Sequence, residues 1–113
     1  ADAEAEGAAR RADEHYRANR HAEALAEVDA ALTRAPGTAR YEALRARILA
    51  IMGRNDEALT QLNTAVQHDP LNADLYDQRA AVHSALGNEG DADFDVRAAT
   101  RCRSGNIPEA PPQ

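Results

Sequence analysis

The sequence has no tryptophan, no lysine, one cysteine, few aromatic residues and no long apolar run. Each absence narrows what the chain can be. Aromatic residues make up 4% of it, so large rings cannot build the core. Alanine, the commonest apolar residue, has to fill it, and small side chains pack well only where backbones come close. Helices allow that approach, and Ala is the best helix former. No run alternates β-branched or aromatic residues with polar ones, so strands are not expected. Cys102 is alone, which excludes an internal disulfide and leaves the redox compartment unmarked. No apolar stretch approaches the ~20 residues of a transmembrane helix, and no signal peptide is visible. The first residue is Ala1 and not Met, which implies that a preceding segment was removed. A soluble chain is expected, periplasmic if that segment was a signal peptide and cytoplasmic otherwise.

The charge is one-sided. Thirteen basic residues face 19 acidic ones, for a formal net charge of -6. An acidic chain is poorly suited to non-specific nucleic-acid binding, which rests on neutralising phosphates. Every basic residue is Arg, and with so much Ala this looks like the imprint of a GC-rich genome and points toward a bacterial source.

What is present is a period. Pro36 and Pro70 are 34 residues apart, and the same pattern is written three times around them. Ala24, Ala58 and Ala92 recur at that interval. So do Val28, Leu62 and Val96, then Ala31, Ala65 and Ala99, and Ala12, Ala46 and Ala80. Asn19, Gly53 and Gly87 mark one turn; Pro36, Pro70 and, more weakly, Ser104 mark the other. A fixed period of this length is the signature of stacked repeats.

Each unit reads as two helices joined by a tight turn. The first helix is expected from about Ala3 to Ala18 and the second from about Ala22 to Arg34, ended by Pro36-Gly37. Thr38 is expected to cap a third helix reaching Met52, and Gly53 to take the left-handed position after it. Asn55 is expected to cap the fourth helix, which ends near His68. Asn72 caps the fifth, to about Leu86, and the sixth runs from Glu89 to Arg103. Segment 1–6 is expected to fray, segment 7–104 to form one domain with repeats at about 5–38, 39–72 and 73–104, and segment 105–113 to be a Pro-rich tail.

The pattern resembles the tetratricopeptide repeat (TPR), on Ala46, Leu49, Gly53, Ala58, Leu62, Ala65 and Pro70 in the second unit. Tyr76, Ala80, His83, Gly87, Ala92, Val96 and Ala99 match in the third, and Ala12, His15, Ala24, Val28, Ala31 and Pro36 in the first. Arg11, Arg45 and Arg79 depart from it at a position that is Leu-like in the family. Ala8 and Glu42 depart at an aromatic position that only Tyr76 fills. The fold class implied is all-α: a right-handed α-solenoid of three helix-turn-helix repeats, six antiparallel helices in all. About three repeats is near the minimum for stability.

The resemblance implies a concave groove lined by the first helix of each unit, in which a partner's peptide or helix lies. By position its residues would be Glu6, Ala9, Arg10, Asp13, Tyr16 and Arg17; then Arg40, Ala43, Leu44, Arg47 and Ile51; then Asp74, Asp77, Gln78, Ala81 and Ser84. The terminal-carboxylate clamp of some family members is absent, because its positions read Ala9, Asp13, Leu44, Asp74 and Gln78. Arg10, Arg17, Arg40 and Arg47 lie toward the N-terminal and central part and suit an acidic segment. The bland alternative is that these charges pair with one another on a wet surface, worth about 0–1 kcal/mol each.

No catalytic constellation can be assembled, and no cofactor or metal is expected. His15, His21, His68 and His83 are too scattered for a ligand set, and no Gly-rich phosphate loop occurs. Asp91, Asp93 and Asp95 imitate calcium spacing but lack the loop's glycine and closing Glu; they read as a solvated helix start. The expected function is therefore non-enzymatic: an adaptor, scaffold or chaperone-like module for another protein, without nucleic-acid binding or membrane insertion. The alternative is self-association into a homo-oligomer through the last helix, where Phe94, Val96 and Cys102 are expected to be partly uncovered. In a variant of it the Pro-rich tail fills its own or a neighbour's groove.

Overall fold

The computed structural model describes residues 2–105. Six helices follow one another: α1 (Ala3–Arg17), α2 (His21–Arg34), α3 (Ala39–Ile51), α4 (Asn55–His68), α5 (Ala73–Ala85) and α6 (Glu89–Arg103). No strand occurs among the described residues. The expected Pro-rich tail lies outside them, beyond Gly105.

The helix ends follow from local chemistry. Asp2 accepts hydrogen bonds from the backbone N–H groups of Glu4 and Ala5 at 3.0 and 3.2 Å, and the Ala5 N–H holds its carboxyl below the usual carboxylate range. The opening residues, expected to fray, are thus a capped first turn, and Ala5 is fully buried. Asn72 caps α5 in the same way, through the N–H of Asp74. Asn55 does not cap α4. It is the first helical residue, after Arg54. The Thr38 hydroxyl donates backward to the carbonyl of Ala35, so α3 lacks a side-chain cap.

Helices α1, α3 and α5 all stop in one way. Asn19, Gly53 and Gly87 take positive φ of 62°, 78° and 80°. The following N–H then reaches back to the carbonyl of His15, Leu49 or His83 at 2.8–2.9 Å, the closure that a left-handed residue after a helix allows. Asn is one of the few side chains that tolerate this region, and it stands in for Gly in the first repeat.

Within each repeat the two helices meet through small residues. Ala12 and Ala24, Ala46 and Ala58, and Ala80 and Ala92 are all buried. Between repeats, large residues fill the space: Val28 clusters with Tyr41 and Ile48, Leu62 with Leu49 and Val82, and Val66 with Leu75 and Tyr76. The odd helices touch in sequence, α1 with α3 and α3 with α5, whereas no two even helices approach one another. The odd helices therefore form the inner side of the curve and the even helices its outer side.

Candidate partner-binding groove

The inner side carries a hollow of about 390 Å³, lined by Tyr16, Ala46, Arg47, Ala50, Ile51, Asn55, Leu62, Gln78, Ala81, Val82 and Ala85. Its position follows from the repeat. Helices α3 and α5 present small Ala side chains to each other here, so the space between them stays open down to Leu62, which is buried. Ile51 stands on the rim with 57% of its surface exposed. Its side chain extends the apolar lining of the hollow outward to the surface.

Of the groove residues expected from the sequence, the hollow brings together Tyr16, Arg47 and Gln78, with Ile51 and Ala81 beside them. Leu44 is half-buried and packs on the first core cluster. Ala43 is buried in the second cluster, and its carbonyl accepts from Gln78 Nε2 at 3.4 Å. Most of the expected groove charges are already engaged. Arg17 pairs with Asp13 at 2.9 Å. Arg40 donates to Glu6 at 2.7 Å and to the Tyr41 hydroxyl at 3.1 Å. Asp74 and Asp77 are both held by Arg103 of α6. Arg10 and Arg47 are exposed and have no carboxylate partner among the described residues. Of these two, only Arg47 lines the hollow.

The outer end of the stack is more polar than expected. In α2 and α4 the face toward the next repeat carries Leu25, Val28 and Leu32, then Leu59, Leu62 and Val66. At the same positions α6 carries Asp93, Val96 and Thr100, all exposed. Of the expected apolar patch only Val96, half exposed, lies open. Phe94 and Cys102 are half-buried, and Cys102 packs on the second core cluster. Burial pushes the Cys102 thiol above its ordinary pKa, which disfavours the thiolate a nucleophile needs. The other end matches. Where α3 and α5 face the preceding helix with Tyr41, Ile48 and Met52 or Leu75, Val82 and Leu86, α1 has Gly7, Glu14 and Ala18.

A second arrangement was not foreseen. Arg11, Arg45 and Arg79, apparent departures from the repeat pattern, form a ladder along the outer helices. Arg11 pairs with Glu27. Arg45 spans Asp29 of α2 at 2.7 Å and Gln61 of α4 at 3.0 Å. Arg79 spans Asn63 of α4 at 3.3 Å and Asp95 of α6, which it holds through two nitrogens at 2.9 and 2.7 Å. The even helices do not touch, and Arg45 and Arg79 bridge the gap between them. Asp95 is therefore no solvated helix start: it is 1% exposed, with His83 Nε2 at 3.8 Å as a further neighbour. Tyr76 completes the enclosure, its ring 5.5 Å from the Arg79 guanidinium. The signal was in the sequence, as a fixed offset of 16: Arg45 and Arg79 each have a polar partner on either side at that spacing, and Arg11 has one after it. Glu42, the other departure, is also buried and meets His68 Nδ1 at 2.8 Å.

Among the described residues no group of three or more His, Cys, Asp or Glu could hold a metal ion. No described helix is long and apolar enough to cross a membrane.

No protein-family model matches the chain. It is 34% identical over 94 residues to the TPR repeat-containing thioredoxin TTL4 of Arabidopsis thaliana. The aligned part is 83% of this chain and 13% of that much longer protein. The fold is similar to the crystal structure of the Sgt2 TPR domain from Aspergillus fumigatus, with a TM-score of 0.88 at 16% identity, over 96% of this chain and 71% of that one. The alanine positions, the left-handed turns at Asn19, Gly53 and Gly87, the six stacked helices and these two likenesses agree: the chain folds as three tetratricopeptide-type repeats.

Proposed function

We propose that this chain is a non-enzymatic protein-interaction module, an adaptor or scaffold, that holds a segment of a partner protein in its concave groove. The observation that carries this reading is the open apolar hollow between α3 and α5, with Ile51 exposed at its rim. Repeat solenoids offer extended concave surfaces for binding, and TPR domains in general mediate protein–protein interaction. The residues assigned to the contact are Tyr16, Arg47, Ile51, Gln78, Ala81 and Ala85, with Arg10 at the groove's N-terminal end. Arg17, Arg40, Asp74 and Asp77 would shape its border through their ion pairs.

Self-association through α6 is the weaker reading. Its interface would have to cover Asp93, Arg97 and Arg103 around a single exposed Val96, and even paired charges lose their hydration on burial.

Placing a photo-crosslinking residue at Ile51 in one variant and at Thr33, exposed on α2, in another tests the reading. Partner adducts are expected from position 51 and not from position 33. Adducts from Thr33 alone would move the interface to the outer side and overturn it.

A further inference from the structure

We infer that the hollow takes a branched aliphatic side chain from an acidic partner segment, with a carboxylate of that segment seated on Arg47. This inference rests on the groove reading and adds the chemistry of the occupant.

Shape sets the first requirement. The floor and walls are Ala46, Ala50, Leu62, Ala81, Val82 and Ala85, with no charged group among them. Water held against such a lining has few polar partners and is displaced favourably by an apolar group. An incoming aliphatic side chain would also cover Ile51, exposed at the rim.

Charge sets the second. Arg47 is the single charged residue lining the hollow. Its guanidinium has no carboxylate partner among the described residues, whereas its neighbours Arg17 and Arg40 already pair with Asp13 and Glu6. A free guanidinium beside an apolar surface favours a carboxylate, which it can hold with two parallel hydrogen bonds. Burying it without an anion would cost free energy, so a segment carrying Lys or Arg at this point is rejected. The net charge of -6 opposes an acidic partner at long range, so selection happens at the contact itself. The same negative field opposes a nucleic-acid phosphate more strongly, because a nucleic acid brings a continuous row of charge. Asn55, Gln78 and the Tyr16 hydroxyl supply neutral hydrogen-bonding groups around the rim.

The test uses the full chain and synthetic helical peptides of Ala and Gln that differ at two positions one turn apart. One pair is Leu with Glu, one Leu with Lys, and one Ala with Glu. Binding is read by fluorescence anisotropy. The Leu/Glu peptide should bind the unmodified chain about tenfold or more tighter than either alternative, as one charge-assisted hydrogen bond or one buried side chain implies. Arg47→Glu should reverse the charge preference, so that the Leu/Lys peptide becomes the better ligand. Ala85→Phe, at an exposed site, should fill the hollow and weaken the Leu peptides while helical content and thermal unfolding stay unchanged. If Ala85→Phe abolishes binding but Arg47→Glu leaves the charge preference as it was, the acidic partner is refuted and the groove stands. If no peptide binds, the inference is overturned, and crosslinking from Ile51 decides separately whether the groove reading falls with it.

Discussion

Helices α4 and α6 hold the same place in successive repeats, yet they meet their surroundings in opposite ways. The face of α4 that looks toward the next repeat carries Leu59, Leu62 and Val66, and Leu62 and Val66 are buried against α5. The same face of α6 carries Asp93, Val96 and Thr100 and is exposed. Small alanines inside each helix pair are kept in all three repeats, because they serve the contact within a repeat. Of the large apolar residues on this face of α4, only Leu62 has an apolar counterpart in α6, Val96. The exposed face of α6 is therefore more polar than the equivalent face of α4, while the inner hollow keeps an apolar lining.

The arginine ladder shows the same gradient. Arg11 and Arg79 are equivalent positions, but the Arg11 side chain is 56% exposed and that of Arg79 only 5%. In the first repeat the pair with Glu27 is wet and weakly held. In the third, Arg79 and Asp95 are enclosed by Asn63, His83 and Tyr76. A buried pair contributes little net stability relative to an apolar replacement, but removing one partner strands a charge. Its contacts tie α5 to both α4 and α6.

These contrasts can be broken one at a time. Asp95→Ala should destabilise the chain most, by about 3–5 kcal/mol, since it leaves the Arg79 guanidinium buried without an anion; the midpoint of urea unfolding reads it. Leu62→Ala comes next, at about 2–5 kcal/mol for a fully buried side chain flanked on both sides. Glu27→Ala, the wet counterpart of Asp95→Ala, should cost about 0–1 kcal/mol. A loss equal to that of Asp95→Ala would erase the gradient along the ladder. Val96→Ala, the counterpart of Leu62→Ala, should stay within about 0.5 kcal/mol, as surface changes do. A larger loss in the same urea series would mean that the outer face of α6 is covered in solution.

The fold was legible because its signals are local or periodic. The alanine spacing, the prolines and the Asn/Gly turns each act on their own neighbours, and the helices end within about a residue of where those signals place them. The caps were less legible. Thr38 and Asn55 have the composition of caps, but one hydroxyl turns back to Ala35 and the other residue lies inside the helix. The ladder was hidden because Arg79 and Asp95 belong to different helices, and a charged residue read alone is assigned to the surface. The groove lay between these cases. Its general position follows from the odd helices, but which of its charges are free depends also on partners on other helices, such as Glu6 for Arg40 and Arg103 for Asp74 and Asp77.

The central proposal is that α6 does not mediate self-association, so that partners meet the groove. Sedimentation velocity of the full chain over a wide concentration range, with Val96→Asp alongside, tests it most directly. The account predicts one species with the mass of the 12.2 kDa monomer for both chains at every concentration. A mass that rises with concentration, and returns to the monomer in Val96→Asp, would contradict it.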